Sequence, residues 1–577
     1  MLVDDGMLAR VADGPWRAVD ELGEVRIPAS ITALLEARLE RLAPNERDVA
    51  ERASVVGRVF EQAAVTELTD EALRPGVGRS LLALVRKELI RPERSDVSAG
   101  DAFRFRHSLI RDAAYEALPK SERAFLHERF ADLLERRSAT DPGDYHLILG
   151  YHLEQAYRYR VELGDDPADA RLLADRALTC IGPAGQAALE RGDPRAAASL
   201  LRRAVNLCPP GRQRIELLMD LRSALLGAGE RAASDAADAE TLALLAEYPD
   251  EGLEHRRRMW ESVFLSGGSI TEAQDAYAYY ERVGDAMGMA GALEVAAGAH
   301  ANSGRFSVAM ELLDQAIALV LEAGRPDLAA NLYADAALWL DDSPVPIPEA
   351  LDRCRRYLDL AGGNRRTRAG ILLAMGELES RSRVPRRWRR HFDAAKAIID
   401  DLGLTLLGAW LYPITLGEAE LASGEPARTV DLLRQSCATL DRLGHRGVLA
   451  SLAPRTAQTL LALGRLDEVE HYAFWGRDVA DPLDVEAQMG WRVAISGLRS
   501  LQGRHDEAVT LARESVALVA GSEWLRSLAQ SHLALARALR GAGDEPAARA
   551  AAHEAESLAA ARQDVASLRT IAAFLRG

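Results

Sequence analysis

The sequence predicts an all-α fold: a tetratricopeptide-like α-solenoid of stacked helix pairs, preceded by a small winged-helix-like domain. Three observations carry this prediction. The chain has 577 residues, far beyond the size at which one hydrophobic core keeps growing, so it must split into domains or repeat a unit. Aromatic residues are only 5% of it while Ala, Leu and Arg dominate, which suits helices packed through small side chains better than sheets of β-branched residues. Glycines recur at a near-constant interval, with Gly424, Gly464, Gly503 and Gly543 spaced by 40, 39 and 40 positions.

Residues 7–19 read MLARV, ADG, PWRAV, two short extended runs about a glycine-containing turn, and predict a hairpin. A lone hairpin is marginal in water, so residues 1–28 are expected to be the edge of a larger α/β domain, an NTPase domain that these residues do not include. After Pro28, Ser30 can cap a helix that carries Ile31, Leu34, Leu35, Leu39 and Leu42 at helical spacing. A second helix follows from Asn45. Next come EQAAVTEL, a third helical run LLALVRKEL, an extended LIRPE, a polar turn SDVSAGD and an alternating FRFRH. Three helices and a two-strand wing over residues 29–138 follow from this order.

Beyond the linker ATDPGD the pattern turns repetitive, and residues 145–577 are expected to be helical repeats. Counting from Gly192, Ala197, Leu201 and Ala204 lie at +5, +9 and +12, and Pro209 closes the unit. The same phase recurs from Gly304 with Ala309, Leu313 and Ala316, and more loosely from Gly229 and Gly268. Each pair has apolar faces that it cannot bury alone, so neighbours stack; glycine permits the tight turn and small residues let helix axes approach. The Ala, bulky, Ala, Pro signature resembles the tetratricopeptide repeat. Between 340 and 400 spacing alone supports the reading, with the prolines of SPVPIP and RVP marking the turns.

A second resemblance lies at the front. The run DAFRFRHSLIRDAAYEAL (101–118), with IPASITALLEARLERLAPNERDVAERASVVGRVF before it and DYHLILGYHLEQAYRY after it, resembles the segment that follows the nucleotide-binding domain in bacterial STAND-type ATPases. Many of those look like the tail of soluble-adenylyl-cyclase-type proteins. The resemblance covers about residues 1–160 and implies the order ATPase, winged helix, repeats. It also implies that His107 and Arg111 act as an inter-domain relay, or else simply pack and cap the strand-to-helix junction. The ATPase itself is not encoded here. A P-loop needs GxxxxGK[ST], and the three lysines, Lys87, Lys120 and Lys396, follow Arg, Pro and Ala.

Composition narrows the chemistry further. Seventy-one basic against 87 acidic residues give −16, which disfavours a whole-body grip on nucleic acid or an anionic membrane. No apolar run is long enough to span a bilayer and no secretion signal leads the chain, so a cytoplasmic location without membrane contact is expected. Cys180, Cys208, Cys354 and Cys437 form no CxxC pair. His146 and His152 are six apart, off the spacing that lets two histidines of one helix share a metal. With no GxSxG and no activated cysteine, the sequence predicts no catalytic residues, no metal and no cofactor.

One segment departs from the acidic background. Between Arg353 and Arg390 twelve arginines face three acids, Asp359, Glu377 and Glu379, a surplus of nine that leaves −25 on the remainder. Its densest part, Arg386, Arg387, Trp388, Arg389 and Arg390, is a candidate partner-binding site: arginine forks grip carboxylate or phosphate, and Trp388 could stack on a base or guanidinium. The alternative is that these arginines solvate helix faces and pair with neighbouring acids. A second basic set, Arg86, Lys87, Arg91, Arg94, Arg104 and Arg106, surrounds the wing, but Leu81, Leu82, Leu84 and Val85 fill the helix that would enter a groove, so nucleic acid is not the expected ligand. The expected function is a non-catalytic regulatory scaffold that binds a protein or peptide on the concave repeat face, with an ATPase or cyclase domain as attached partner. Its rival is the C-terminal sensor part of an ATP-binding signalling protein, of adenylate-cyclase type or a transcriptional regulator.

Overall fold

The computed structural model describes residues 8–10, 16–18, 31–93, 101–138, 146–266, 268–382, 387–482 and 484–577. Ser30, the linker ATDPGD, the RVP turn, Arg94, Arg386 and nearly all of the SDVSAGD turn lie outside them. The chain forms two compact units, one of residues 1–184 with 206–208, the other of 185–205 with 209–577.

In the first unit β1 (Leu8–Arg10) pairs antiparallel with β2 (Trp16–Ala18), Ala9 opposite Arg17, as the hairpin pattern predicts. Helices α1 (Ile31–Glu40) and α2 (Pro44–Val56) follow, and α2 ends at Gly57, whose φ of 148° turns the chain. Then come β3 (Val59–Glu61), α3 (Gln62–Leu68), α4 (Val77–Arg86), β4 (Ile90–Glu93) and β5 (Ala102–Phe105). These three strands form one antiparallel sheet in the order β3-β5-β4, where the sequence predicts two strands. Strand β3 is absent from the sequence reading because three residues are too short for period-2 alternation to show. Phe60 on β3 packs at 5.3 Å from Phe105 and 6.1 Å from Phe103 on β5. Leu81, Leu84 and Ile90 close the same core.

Helices α5 (Ser108–Ala117), α6 (Lys120–Ser138) and α7 (His146–Leu163) follow, and the unit continues into helix Pro167–Glu190. Since α7 packs along α6, the compact unit runs on to Ala184 rather than ending at 138.

The second unit is the repeat stack. Helix pairs such as Ala286–Asn302 with Phe306–Glu322 and Leu525–Gly541 with Glu545–Arg562 alternate along it. Gly304 turns the first of these pairs at φ 70°, Gly543 the second at φ 84°. The predicted phase holds beyond the two units in which it was legible. From Gly503 it places Ala508, Ala512 and Ser515, and from Gly543 Ala548, Ala552 and Ala555, all fully buried. Between 340 and 400 the pair Pro326–Asp342 and Ile347–Leu360 turns through Ser343–Pro346 instead of a glycine, and Ala350 and Cys354 still enter the core. All four cysteines are buried, and none is in a disulfide.

Pairs far apart in sequence also touch within this unit. Glu523 donates its amide to the Gly304 carbonyl at 2.8 Å, and the Asn364 side chain donates to the Glu190 carbonyl at 3.0 Å. Such contacts go beyond a stack in which each repeat meets only its neighbours, and they set the geometry of the site below.

Candidate functional site

Three clusters gather the ionisable side chains that could carry function. The first lies where repeats distant in sequence meet. Arg526, on helix Leu525–Gly541, reaches Asp342 at 2.5 Å, Glu377 at 2.7 Å, Asp341 at 3.4 Å and Glu418 at 3.6 Å. Arg381 ends helix Arg365–Arg381 and meets Glu418 at 3.1 Å and Asp564 at 3.4 Å. Arg455 bridges Glu418 at 2.5 Å and Glu486 at 2.6 Å, while Arg562 donates to the carbonyls of Asp341 and, at 3.2 Å, Leu340. Apart from Asp342 and Glu486, these groups are nearly excluded from water.

Four guanidiniums here face six carboxyls, so the acids compete for them. Burial pushes Glu418 up, but Arg455, Arg526 and Arg381 outweigh it and hold its carboxyl at about 2. Burial and the adjacent Asp341 instead push Glu377 well above the usual carboxylate range. The opposite shifts of Glu377 and Glu418 follow from six carboxyls sharing four guanidiniums in a low-dielectric interior.

The second cluster is a cleft of about 830 Å³ beside this network. One wall is a stripe along helix Ile347–Leu360, from Ile347 and Leu351 to Arg355. Met375 and Glu379 on helix Arg365–Arg381 form its floor, and Val565 and Leu568 on the last helix, Val565–Arg576, close the far side. Gln563, at the corner before that helix, is one of two described non-glycine residues with positive φ, at 58°.

The arginine-rich segment borders this cleft, and its members have different fates. Trp388 is fully buried, edge-on to Phe392 at 5.6 Å, so it is a core residue; the expectation that its ring could stack on a base or partner is corrected by that burial. Arg389 lies over the indole at 4.3 Å and pairs with Glu420 at 2.7 Å and Glu425 at 3.1 Å. Arg387 and Arg390 line the cleft and are exposed; Arg390 comes no closer than 4.0 Å to Glu379, which His391 holds at 3.3 Å.

The third cluster joins the runs FRFRHSLIRDAAY and DYHLILGYHLEQAYRY. Tyr115 on α5 hydrogen-bonds His127 Nε2 on α6 at 2.7 Å and the Tyr159 hydroxyl on α7 at 3.0 Å. His127 Nδ1 meets His152 Nδ1 at 2.8 Å. The chain is satisfied by donation in one consistent direction, from Tyr159 through Tyr115 and His127 to His152 or the reverse. Both rings are almost wholly buried, and burial first, then Arg111 and other nearby cations, lowers His127 to about 2 and His152 to about 3.

His152 is thus half of a neutral histidine pair with His127, a residue the sequence reading did not single out. Its periodicity on α6 was the available signal. Arg111 donates to the Ser54 carbonyl at 2.9 Å and lies 4.8 Å from the Tyr115 ring, tying α5 to α2. His107 sits exposed at the start of α5 without capping it.

The basic residues around the wing are largely engaged with acids: Lys87 with Glu46 and Arg104 with Glu93, each at 2.5 Å, and Arg106 with Glu88 at 3.6 Å. Among the described residues no three His, Cys, Asp or Glu side chains converge as metal ligands, and no helix is long and apolar enough to cross a membrane.

No protein-family model matches the chain, and no curated protein matches it. Solved structures it is similar to include yeast Tom70, at 13% identity and a TM-score of 0.31, covering 79% of this chain and 96% of that one. A STAND protein with a tetratricopeptide repeat sensor from Pyrococcus horikoshii aligns at 13% identity and a TM-score of 0.26, over 96% of this chain and 67% of that one. Naa15/Naa10 bound to HypK aligns at 12% identity and a TM-score of 0.21, over 94% and 93%.

Proposed function

We propose that the chain is a non-catalytic, cytoplasmic regulatory scaffold that binds a protein or peptide partner through its repeats, with the winged unit serving as the attachment to an ATPase or other effector domain. The observation that carries this reading is the cleft beside the ion network, lined by apolar residues such as Ile347, Leu351, Met375 and Leu568 together with two exposed arginines, Arg387 and Arg390. A few polar groups converging on an apolar concavity of this size are what ligand sites offer. Panning a random peptide library against the purified chain tests the proposal. Convergent sequences that protect repeat helices from hydrogen exchange are the expected result; an unenriched library would overturn it.

The second reading, a sensor region of an ATP-binding signalling protein, is favoured by the Tyr115–His127–His152 chain. It links the two runs that resemble the segment behind a STAND nucleotide-binding domain, and a bonded polar chain of this kind can couple α5 to α7. Under the scaffold reading, titrating Mg-ATP into the purified chain should give no heat of binding, because no P-loop sequence is present. The second reading also places the P-loop outside these residues, so saturable heat would overturn the claim, common to both readings, that no nucleotide site lies here.

A further inference from the structure

We propose that the cleft between helix Ile347–Leu360, the end of helix Arg365–Arg381 and the corner at Gln563 seats an extended acidic peptide, with aliphatic side chains on its wall and carboxylates on Arg387 and Arg390. The inference rests on the scaffold reading and names its partner and seat.

Shape comes first. The stripe from Ile347 to Arg355 spans nine residues of helix, eight steps or roughly 12 Å at the helical rise, which matches about four residues of extended chain. A groove longer than one side chain and open at its rim suits a strand-like segment. Val565 and Leu568 on the last helix line the same cleft as Ile347 and Leu351, so it offers apolar surface from two helices to the side chains of an extended peptide.

Charge comes second. Of the acids lining the cleft, Asp352 pairs with Arg355 at 2.5 Å, and Glu379 has the His391 ring 3.3 Å away. Arg387 has no partner among the described residues, and Arg390 has only the distant Glu379. Two guanidiniums with spare donors at the rim of an apolar groove complement carboxylates. The burial of Trp388 beneath Arg389 removes the one ring of the segment that could stack a base, and the walls are aliphatic, which favours peptide over nucleic acid.

The test is a position-scanning hexapeptide library panned on the full chain and on the double variant Arg387→Glu, Arg390→Glu. Both positions are exposed, so the variant should fold, and circular dichroism checks that it does. The expected result is enrichment of hexapeptides that combine Asp or Glu with Leu, Ile or Val. Their affinity should fall about tenfold or more in the charge-reversed chain and survive in part in Arg387→Lys, Arg390→Lys. Enriched peptides that bind the charge-reversed chain equally well would overturn the cleft while leaving the scaffold reading intact. No enrichment on either chain would overturn both. Binding of a labelled mixed-sequence single-stranded oligonucleotide that is lost in the charge-reversed variant, without peptide enrichment, would replace the peptide by nucleic acid.

Discussion

Replacing Arg526 with Met, a side chain of similar length without charge, strips Asp341, Asp342, Glu377 and Glu418 of the guanidinium they share at 2.5 to 3.6 Å. Removing one partner of a buried ion pair leaves uncompensated charge, at a cost of about 3–5 kcal/mol. Glu377 can relieve part of this by holding a proton, since burial and Asp341 already push it far above the carboxylate range. A carboxyl whose folded-state value is raised contributes stability that is complete below its unfolded value near 4.5 and is lost as pH rises through the folded value. The variant's deficit should therefore be smallest near pH 4.5 and grow towards pH 8. Hydrogen exchange on the full chain reads where the loss falls. Protection should drop in helices Pro326–Asp342, Arg365–Arg381 and Leu411–Ser423 as well as in Leu525–Gly541, because one arginine joins all four. A loss confined to Leu525–Gly541, or a urea-derived change under about 1 kcal/mol, would refute the claim that the network couples distant repeats.

The histidine pair makes the first unit acid-sensitive. Both folded-state values lie below the ordinary 6.5, so stability is complete above pH 6.5 and is lost as pH falls towards 3, at about 1.4 kcal/mol per pH unit for each ring. Exchange protection of α5–α7 should show this dependence, and His127→Gln with His152→Gln should flatten it. Gly192→Ala should cost more than Gly543→Ala. Both have φ in the left-handed region, but a methyl at 192 also runs into the Arg366 side chain, whereas at 543 it meets open space; paired urea titrations decide this. Trp388→Ala should destabilise by about 3–5 kcal/mol, as a core deletion does, with a matching drop in thermal midpoint. A change under about 1 kcal/mol there would contradict its burial.

The repeat phase was legible because it is local. A turn glycine and three small or aliphatic residues within thirteen positions decide one helix pair, and the same rule extends from Gly192 to Gly543. It fails to mark Ser343–Pro346, where proline chemistry makes the turn, though Ala350 and Cys354 keep the core. Strand β3 escaped because three residues carry no period, and its place depends on Phe60 finding Phe103 and Phe105 more than 40 positions on. The cleft escaped because Leu351, Met375 and Leu568 come together only when the last helix meets helices some 200 positions earlier.

The arginine-rich segment shows why local charge alone misleads here. Read along the chain, its arginines form one patch. In the fold, Arg381 turns inward to Glu418 and Asp564, Arg365 pairs with Asp401, and Arg389 pairs with Glu420 and Glu425. These partners are 31 to 183 positions away, on helices where each acid looks like ordinary solvated surface. An acidic chain that brings distant repeats together needs cations at the joint, and a dense run of arginine supplies them. Three arginines of the local surplus are thereby used in joining helices to one another. Arg387 and Arg390 remain at the edge of that joint, within two positions of Trp388 and lining the same cleft as Gln563, between Arg562 and Asp564. A ligand held there would touch both sides of the closure, so its binding should be linked to the stability of the ion network. An Arg526→Met chain should then bind the enriched peptides more weakly although Arg526 does not line the cleft.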